Sequence, residues 1–188
     1  TVPVAVRADG SLWSWSATQV PQPVPGLTNI VAVSASSQVL ALRADGRVWS
    51  WGSNSFGELG DGTTTSRTTP ALIPNLTDVV AVVAAPNYSL ALQSTGRVWS
   101  WGRNYASTLG DGTSTDRLTP VPVPGLTDVV ALAAGAGHLE LLAQQAVTFG
   151  VRAVGTSGTA DDATRLRELI ADRSRAASSA APEVLYGP

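Results

Sequence analysis

The chain has 188 residues, enough for one ordinary domain with a sizeable core and too few for three. Hydrophobic residues make up 44% and charged residues 14%, which excludes a disordered, charge-dominated polymer. A formal charge of −2 excludes a general attraction to nucleic acid or to an acidic membrane surface, and no apolar run is long enough for insertion across a bilayer.

Cysteine is absent, so disulfides, thiolate catalysis and cysteine-held metals are excluded. All twelve cations are arginine, which reads as the codon bias of a GC-rich bacterial genome. The sequence opens at Thr1, already inside a strand-like pattern. That fits a removed leader or a piece of a longer chain, and a secreted or cell-surface setting is expected.

In chain order, the first run is VAVRADGSLWSW, Val4 to Trp15, in which alternate side chains fall on opposite faces of a strand. It returns as LALRADGRVWSW, Leu40 to Trp51. From Arg47, the string RVWSWGSNSFGELGDGTTTSRTTP then recurs fifty residues later as RVWSWGRNYASTLGDGTSTDRLTP, with roughly two thirds of the positions identical. The match continues from Pro74 into Pro124 at the same spacing, and the first copy lacks the GSNSFGELGDGT segment after Trp15. A fourth copy is degraded: His138 aligns with Tyr88, Leu142 with Leu92 and Phe149 with Trp99.

Each unit reads as strand, tight turn (Ala44 to Gly46, Ser94 to Gly96), strand, long loop, and then Val-Val-Ala-Val as a further strand. Short strands repeating every fifty residues predict an all-β fold, a β-propeller of about 50-residue blades. The tryptophan pairs Trp13/Trp15, Trp49/Trp51 and Trp99/Trp101 share one strand face, and they read as fillers between blades rather than carbohydrate platforms.

The string GRVWSWGxNxxGxLGDGTxxxRxxPxxVPxLxxVVAV resembles the repeat of the regulator of chromosome condensation family over about residues 1 to 151. The resemblance implies propellers, typically of seven blades. It also implies a range of functions: protein-interaction scaffolds, an exchange factor for a small nuclear GTPase, and a secreted bacterial inhibitor of β-lactamases. The family's glycine-rich turn ending in histidine survives here only at Gly135 to His138.

About three and a half units make a partial ring, whose blade edges invite pairing. Two copies could complete it as a homo-oligomer, the chain could belong to a longer ring, or the tail could plug a short one. The propeller is expected over residues 1–152, and a linker with a short C-terminal helix over 153–188. Thr159, Asp161 and Asp162 open that helix, and Leu166, Leu169 and Ile170 form its apolar stripe.

No catalytic constellation emerges. His138 is the only histidine and occupies a position where the family carries one, which implies a structural role. Zinc ligation lacks further His or Cys ligands, and Asp61-Gly and Asp111-Gly read as ordinary turns rather than a calcium site. No phosphate-cradling glycine motif is present, so no cofactor or metal is expected. Asn75 and Asn87 head glycosylation triplets that carry little weight in a bacterial chain.

Variation concentrates in the long loops, where Ser55-Phe56-Gly57-Glu58 becomes Tyr105-Ala106-Ser107-Thr108. A rigid scaffold presenting variable loops predicts binding of another protein, with Phe56 and Tyr105 as aromatic anchors and Glu58, Arg67 and Arg117 as polar partners. The alternative is a regulator of an enzyme, either a secreted inhibitor or a GTPase exchange factor.

Overall fold

The computed structural model describes residues 3–132, 153–156 and 183–186. The chain divides into two compact units, Thr1–Thr127 and Asp128–Pro188.

The first unit holds three antiparallel sheets, the blades of a β-propeller. Blade 1 contains β1 (Val4–Val6), β2 (Leu12–Ser16) and β3 (Gln19–Pro23). Blade 2 contains β4 (Ile30–Ala35), β5 (Gln38–Arg43), β6 (Val48–Gly52) and β7 (Arg67–Leu72). Blade 3 contains β8 (Val79–Ala85), β9 (Tyr88–Gln93), β10 (Val98–Gly102) and β11 (Arg117–Pro122). Every strand pairs with the next in sequence, and the register repeats: Trp49 lies opposite Ala41 as Trp99 lies opposite Ala91. Blade 1 matches the last three strands of its neighbours in chain order; among the described residues it has no equivalent of β4 or β8.

Local chemistry explains the meander. Val, Leu and Trp runs suit a pleated, half-buried surface. The tight turns close where the chain must go left-handed, with φ of 76° at Gly46 and 77° at Gly96. Asn29 and Asp78, which also adopt positive φ, stand just before β4 and β8, at a site where short polar side chains tolerate that geometry.

The cores lie between blades. Leu12 and Leu27 pack with Ile30, Val39, Ala41 and Trp51 between blades 1 and 2. Leu40, Leu42, Val48, Ile73 and Leu76 pack with Val79, Val82, Ala84, Ala91 and Trp101 between blades 2 and 3. Trp51 and Trp101 are buried in these layers and Trp49 and Trp99 half-buried beside them, as the spacing predicts. Polar fasteners supplement the second layer: the Gln38 side chain, fully buried, donates to Ala85 O (3.0 Å), Tyr88 O (2.8 Å) and Ser89 Oγ (3.0 Å).

In the second unit, β12 (Ala153–Thr156) pairs in parallel with β13 (Glu183–Tyr186). A parallel pair cannot be joined by a hairpin and belongs to a different kind of architecture from a blade. These strands fall within the expected linker and tail and carry no sequence signal, because four residues are too few to display a period. The predicted helix, His138 and most of the degraded fourth copy fall outside the described residues. Among the described residues, no helix is long and apolar enough to cross a membrane.

Candidate protein-binding surface

The connection from β6 to β7, residues 53–66, and that from β10 to β11, residues 103–116, form equivalent clasp loops. In blade 1 the same connection shrinks to Ala17 and Thr18. Each clasp is built around a fully buried asparagine. Asn54 Nδ2 donates to Asp61 Oδ1, Thr63 O, Thr63 Oγ1 and Thr65 O, while its Oδ1 accepts from Leu59 N at 2.9 Å. Asn104 repeats this pattern around Asp111, Thr113, Thr115 and Leu109. A side chain that satisfies so many groups fixes the loop without regular secondary structure.

The Asp-Gly-Thr turns lock the far end of each clasp. Asp61 accepts from Thr63 N and Oγ1 and pairs with Arg67. Asp111 accepts from the same groups of Thr113, and Arg117 Nε donates to it at 2.6 Å. Burial works against the charge on Asp111. The hydrogen bonds from Arg117, Thr113 and Asn104 outweigh that effect and hold its carboxyl below the ordinary value of 3.8. A carboxyl depressed on folding stabilises the fold above its unfolded value, and the contribution fades as pH falls through the folded value. Thermal melts of the wild type between pH 7 and pH 3 are therefore expected to lose more stability than those of Asp111→Asn, which has no charge to lose.

Of the five residues singled out from sequence, three turn inward. Glu58 is fully buried, its carboxylate accepting from Ser53 Oγ (3.0 Å) and Phe56 N (2.7 Å), so it shapes its own loop rather than offering a surface. Arg67 and Arg117 are spent on the aspartates of their own clasps. Phe56 and Tyr105 do come together, through a residue that the reading missed. The Arg103 guanidinium lies 4.6 Å from the Phe56 ring centroid and 5.4 Å from that of Tyr105, bridging the clasps of blades 2 and 3. The available signal was the change from Ser53 to Arg103 inside the repeated Trp-Gly-x-Asn frame.

Tyr105 is 73% exposed, and Arg103 is exposed with no salt bridge among the described residues. Ala106 and Ser107 follow with φ of 53° and 60°, left-handed geometry that non-glycine residues seldom adopt. A strained loop tip thus presents an aromatic–arginine–aromatic patch, the residue types that dominate protein-interface energetics.

One model of the "Regulator of chromosome condensation (RCC1) repeat" matches residues 45–92 and 95–141, and a second model of that repeat matches residues 30–58. The fold resembles that of Prp20p from Saccharomyces cerevisiae, in a structure described with its binding properties to Gsp1p and histones. The TM-score is 0.58 at 20% identity, over 65% of this chain and 36% of that one. Yeast RCC1 (Prp20) bound by Kap60 gives a TM-score of 0.57 at 21% identity, covering 70% and 35%. Human WBSCR16 gives 0.56 at 25% identity, covering 65% and 38%. The chain thus spans little more than a third of the length of these propellers.

A different likeness is to a 1-deoxy-D-xylulose 5-phosphate reductoisomerase of Arthrobacter sp. (strain FB24). It is 52% identical over 57 residues, 29% of this chain and 14% of that enzyme. Three blades in one repeating register, with clasps built alike around Asn54 and Asn104, agree with the repeat match. The chain belongs to the regulator of chromosome condensation repeat family.

Proposed function

We propose that the propeller unit is a non-catalytic module that binds a partner protein through its clasp-loop face, with Phe56, Arg103 and Tyr105 at the centre of the contact. The observation that carries this reading is an exposed arginine held between two aromatic rings on a loop tip fixed from beneath by buried Asn104. The similar yeast propellers, described with Gsp1p, histones and Kap60, bind proteins, which supports a protein as the class of partner. Arg103 has no carboxylate to satisfy it within the described unit, so the partner surface is expected to be acidic around an apolar centre.

Affinity capture followed by titration tests this. Tyr105→Ala and Arg103→Ala are each expected to weaken capture by about 2 kcal/mol, with thermal stability unchanged within about 0.5 kcal/mol. Arg67→Ala is expected to act on stability instead. Full capture by the Arg103/Tyr105 double variant would remove the proposed surface.

A second reading is favoured by the parallel β12–β13 pair together with the reductoisomerase-like segment. On this reading the propeller is joined to part of an α/β enzyme and serves as its binding or regulatory arm. Turnover of 1-deoxy-D-xylulose 5-phosphate by the protein, or a change in a captured partner's turnover, would favour it over a free-standing adaptor.

A further inference from the structure

Blades 2 and 3 each begin on a strand that leaves the preceding blade in one fixed way. Asn29 and Asp78 take φ of 56° and 57° just before those strands. The next residue donates to the tight turn of the blade before, Ile30 N to Gly10 O (2.9 Å) and Val79 N to Gly46 O (3.0 Å). The carbonyls of Asn29 and Asp78 accept from the turn of the blade being entered, from Ala44 N (2.9 Å) and Ser94 N (2.8 Å). Pairing then follows one register, with Ala32 opposite Leu42 as Ala81 lies opposite Leu92.

Blade 1 holds the receiving half of this joint without the strand. Among the described residues β1 pairs with β2 alone. Arg7 N donates to Ser11 O and Pro3 O accepts from Trp15 N, so Val4, Val6 and Ala8 turn their backbone groups to the opposite, open edge. Ala8 N, at the place of Ala44 N, has no acceptor among the described residues. A recess of about 410 Å³ lies there, between residues 6–10 and Asn29–Val31. The missing cover shows on β4 as well, which is buried at one of six positions where β8 is buried at six of seven. Val31, lining the recess, is 58% exposed. An open edge of this kind is a template for another strand.

The donating half is present too. Pro124-Gly-Leu-Thr-Asp128 repeats the approach made by Pro25 to Asn29 and by Pro74 to Asp78, and Asp128 takes the same φ of 57°. Val129-Val130-Ala131 then repeats the opening of β8, yet these residues join no ladder among the described residues. Leu126 is 46% exposed, whereas Leu27 and Leu76 at its place are 5% and 1% exposed in the layers between blades.

We propose that residues 128–132 of one copy serve as the missing first strand of blade 1 in a second copy. The repeated joint sets the contacts: Asp128 O accepts from Ala8 N of the second copy, and Ala131 lies opposite the second copy's Val6. Three blades fall short of the roughly four that the smallest closed propellers have, so the donor is a second copy rather than the same chain. Reciprocal donation by two copies, each of three blades, closes a ring within the usual range of roughly four to eight blades. This joint does not use the Phe56–Arg103–Tyr105 patch, so the two proposals fail independently.

Sedimentation of the full chain, with hydrogen exchange read at β1, tests the joint. From nanomolar to high micromolar concentration the mass is expected to rise from 19.3 kDa to twice that value, with exchange at the Val6 and Ala8 amides slowed about tenfold. Ala131→Pro removes the N–H that would face Val6. That variant is expected to stay monomeric at every concentration with its thermal melt unchanged, since residue 131 joins no ladder of the monomer. A synthetic peptide with the sequence of residues 124–135 is expected to protect Val6 and Ala8 in the variant, and the same peptide carrying Ala131→Pro to be silent. A monomer throughout, a dimer that Ala131→Pro leaves intact, or equal responses to the two peptides would overturn the proposal. Protection of β1 in a monomer, abolished by Ala131→Pro, would assign the strand to the same chain and overturn it equally.

Discussion

Replacing Trp101 by alanine is expected to destabilise the propeller unit by about 3–5 kcal/mol, more than any other single truncation considered. The indole is fully buried between blades 2 and 3, in contact with the layer formed by Leu40, Leu42, Val48, Ile73 and Leu76. Its loss opens a cavity that the paired sheets cannot collapse to fill, since each is held by its own ladder of hydrogen bonds. It also removes one of two donors to Glu58 O, so the clasp above loosens together with the layer below. Trp101→Phe keeps most of the volume and loses only the N–H, so a smaller cost of about 1–2 kcal/mol is expected. Urea unfolding followed by circular dichroism measures both. Equal losses for the two variants would mean that the hydrogen bond, not packing, dominates the junction.

Gly57→Ala is expected to cost about 2–4 kcal/mol, a large effect for a single added methyl group. Two penalties coincide. The backbone there is left-handed, with φ of 82°, and the new Cβ would meet Leu118 Cδ2 at 2.5 Å and Leu118 Cα at 2.7 Å. Because the second contact is to backbone, trimming Leu118 to alanine is expected to recover only part of the loss. The equivalent position in blade 3 gives the opposite expectation. Ser107 is exposed and already strained at φ of 60°, so Ser107→Gly is expected to raise stability by about 1 kcal/mol. Thermal melts of the two variants should move in opposite directions.

The blades were legible because fifty-residue periodicity and period-two alternation are written directly into the chain, and the tryptophan pairs announced their shared face. The clasp loops were legible as loops but not as structures. Nothing local in WGSNSFGELGDG reveals that Asn54 is the buried hub, since the acceptors it donates to lie up to twelve residues away, or that Glu58 turns inward onto Ser53 Oγ and Phe56 N, since that needs the closed loop. Reading Glu58, Arg67 and Arg117 as surface groups followed from their charge. In the folded clasp each is satisfied by a group of its own loop, and that pairing is set by three-dimensional closure. Arg103 was passed over because it belongs to the strand-end frame rather than to the loop tip, yet the frame aims it between Phe56 and Tyr105. The parallel pair β12–β13 lay beyond sequence reasoning because its two strands are separated by 26 residues and neither shows a pattern alone.

Hydrogen–deuterium exchange on the captured complex tests most directly whether the clasp face is the binding surface. Protection is expected at the backbone amides of residues 103–108 and 53–57, where the two clasps meet around Arg103, while the opposite turns at residues 44–46 and 94–96 exchange as in the free protein. Protection confined to those turns, with the Tyr105 loop unchanged, would contradict the account.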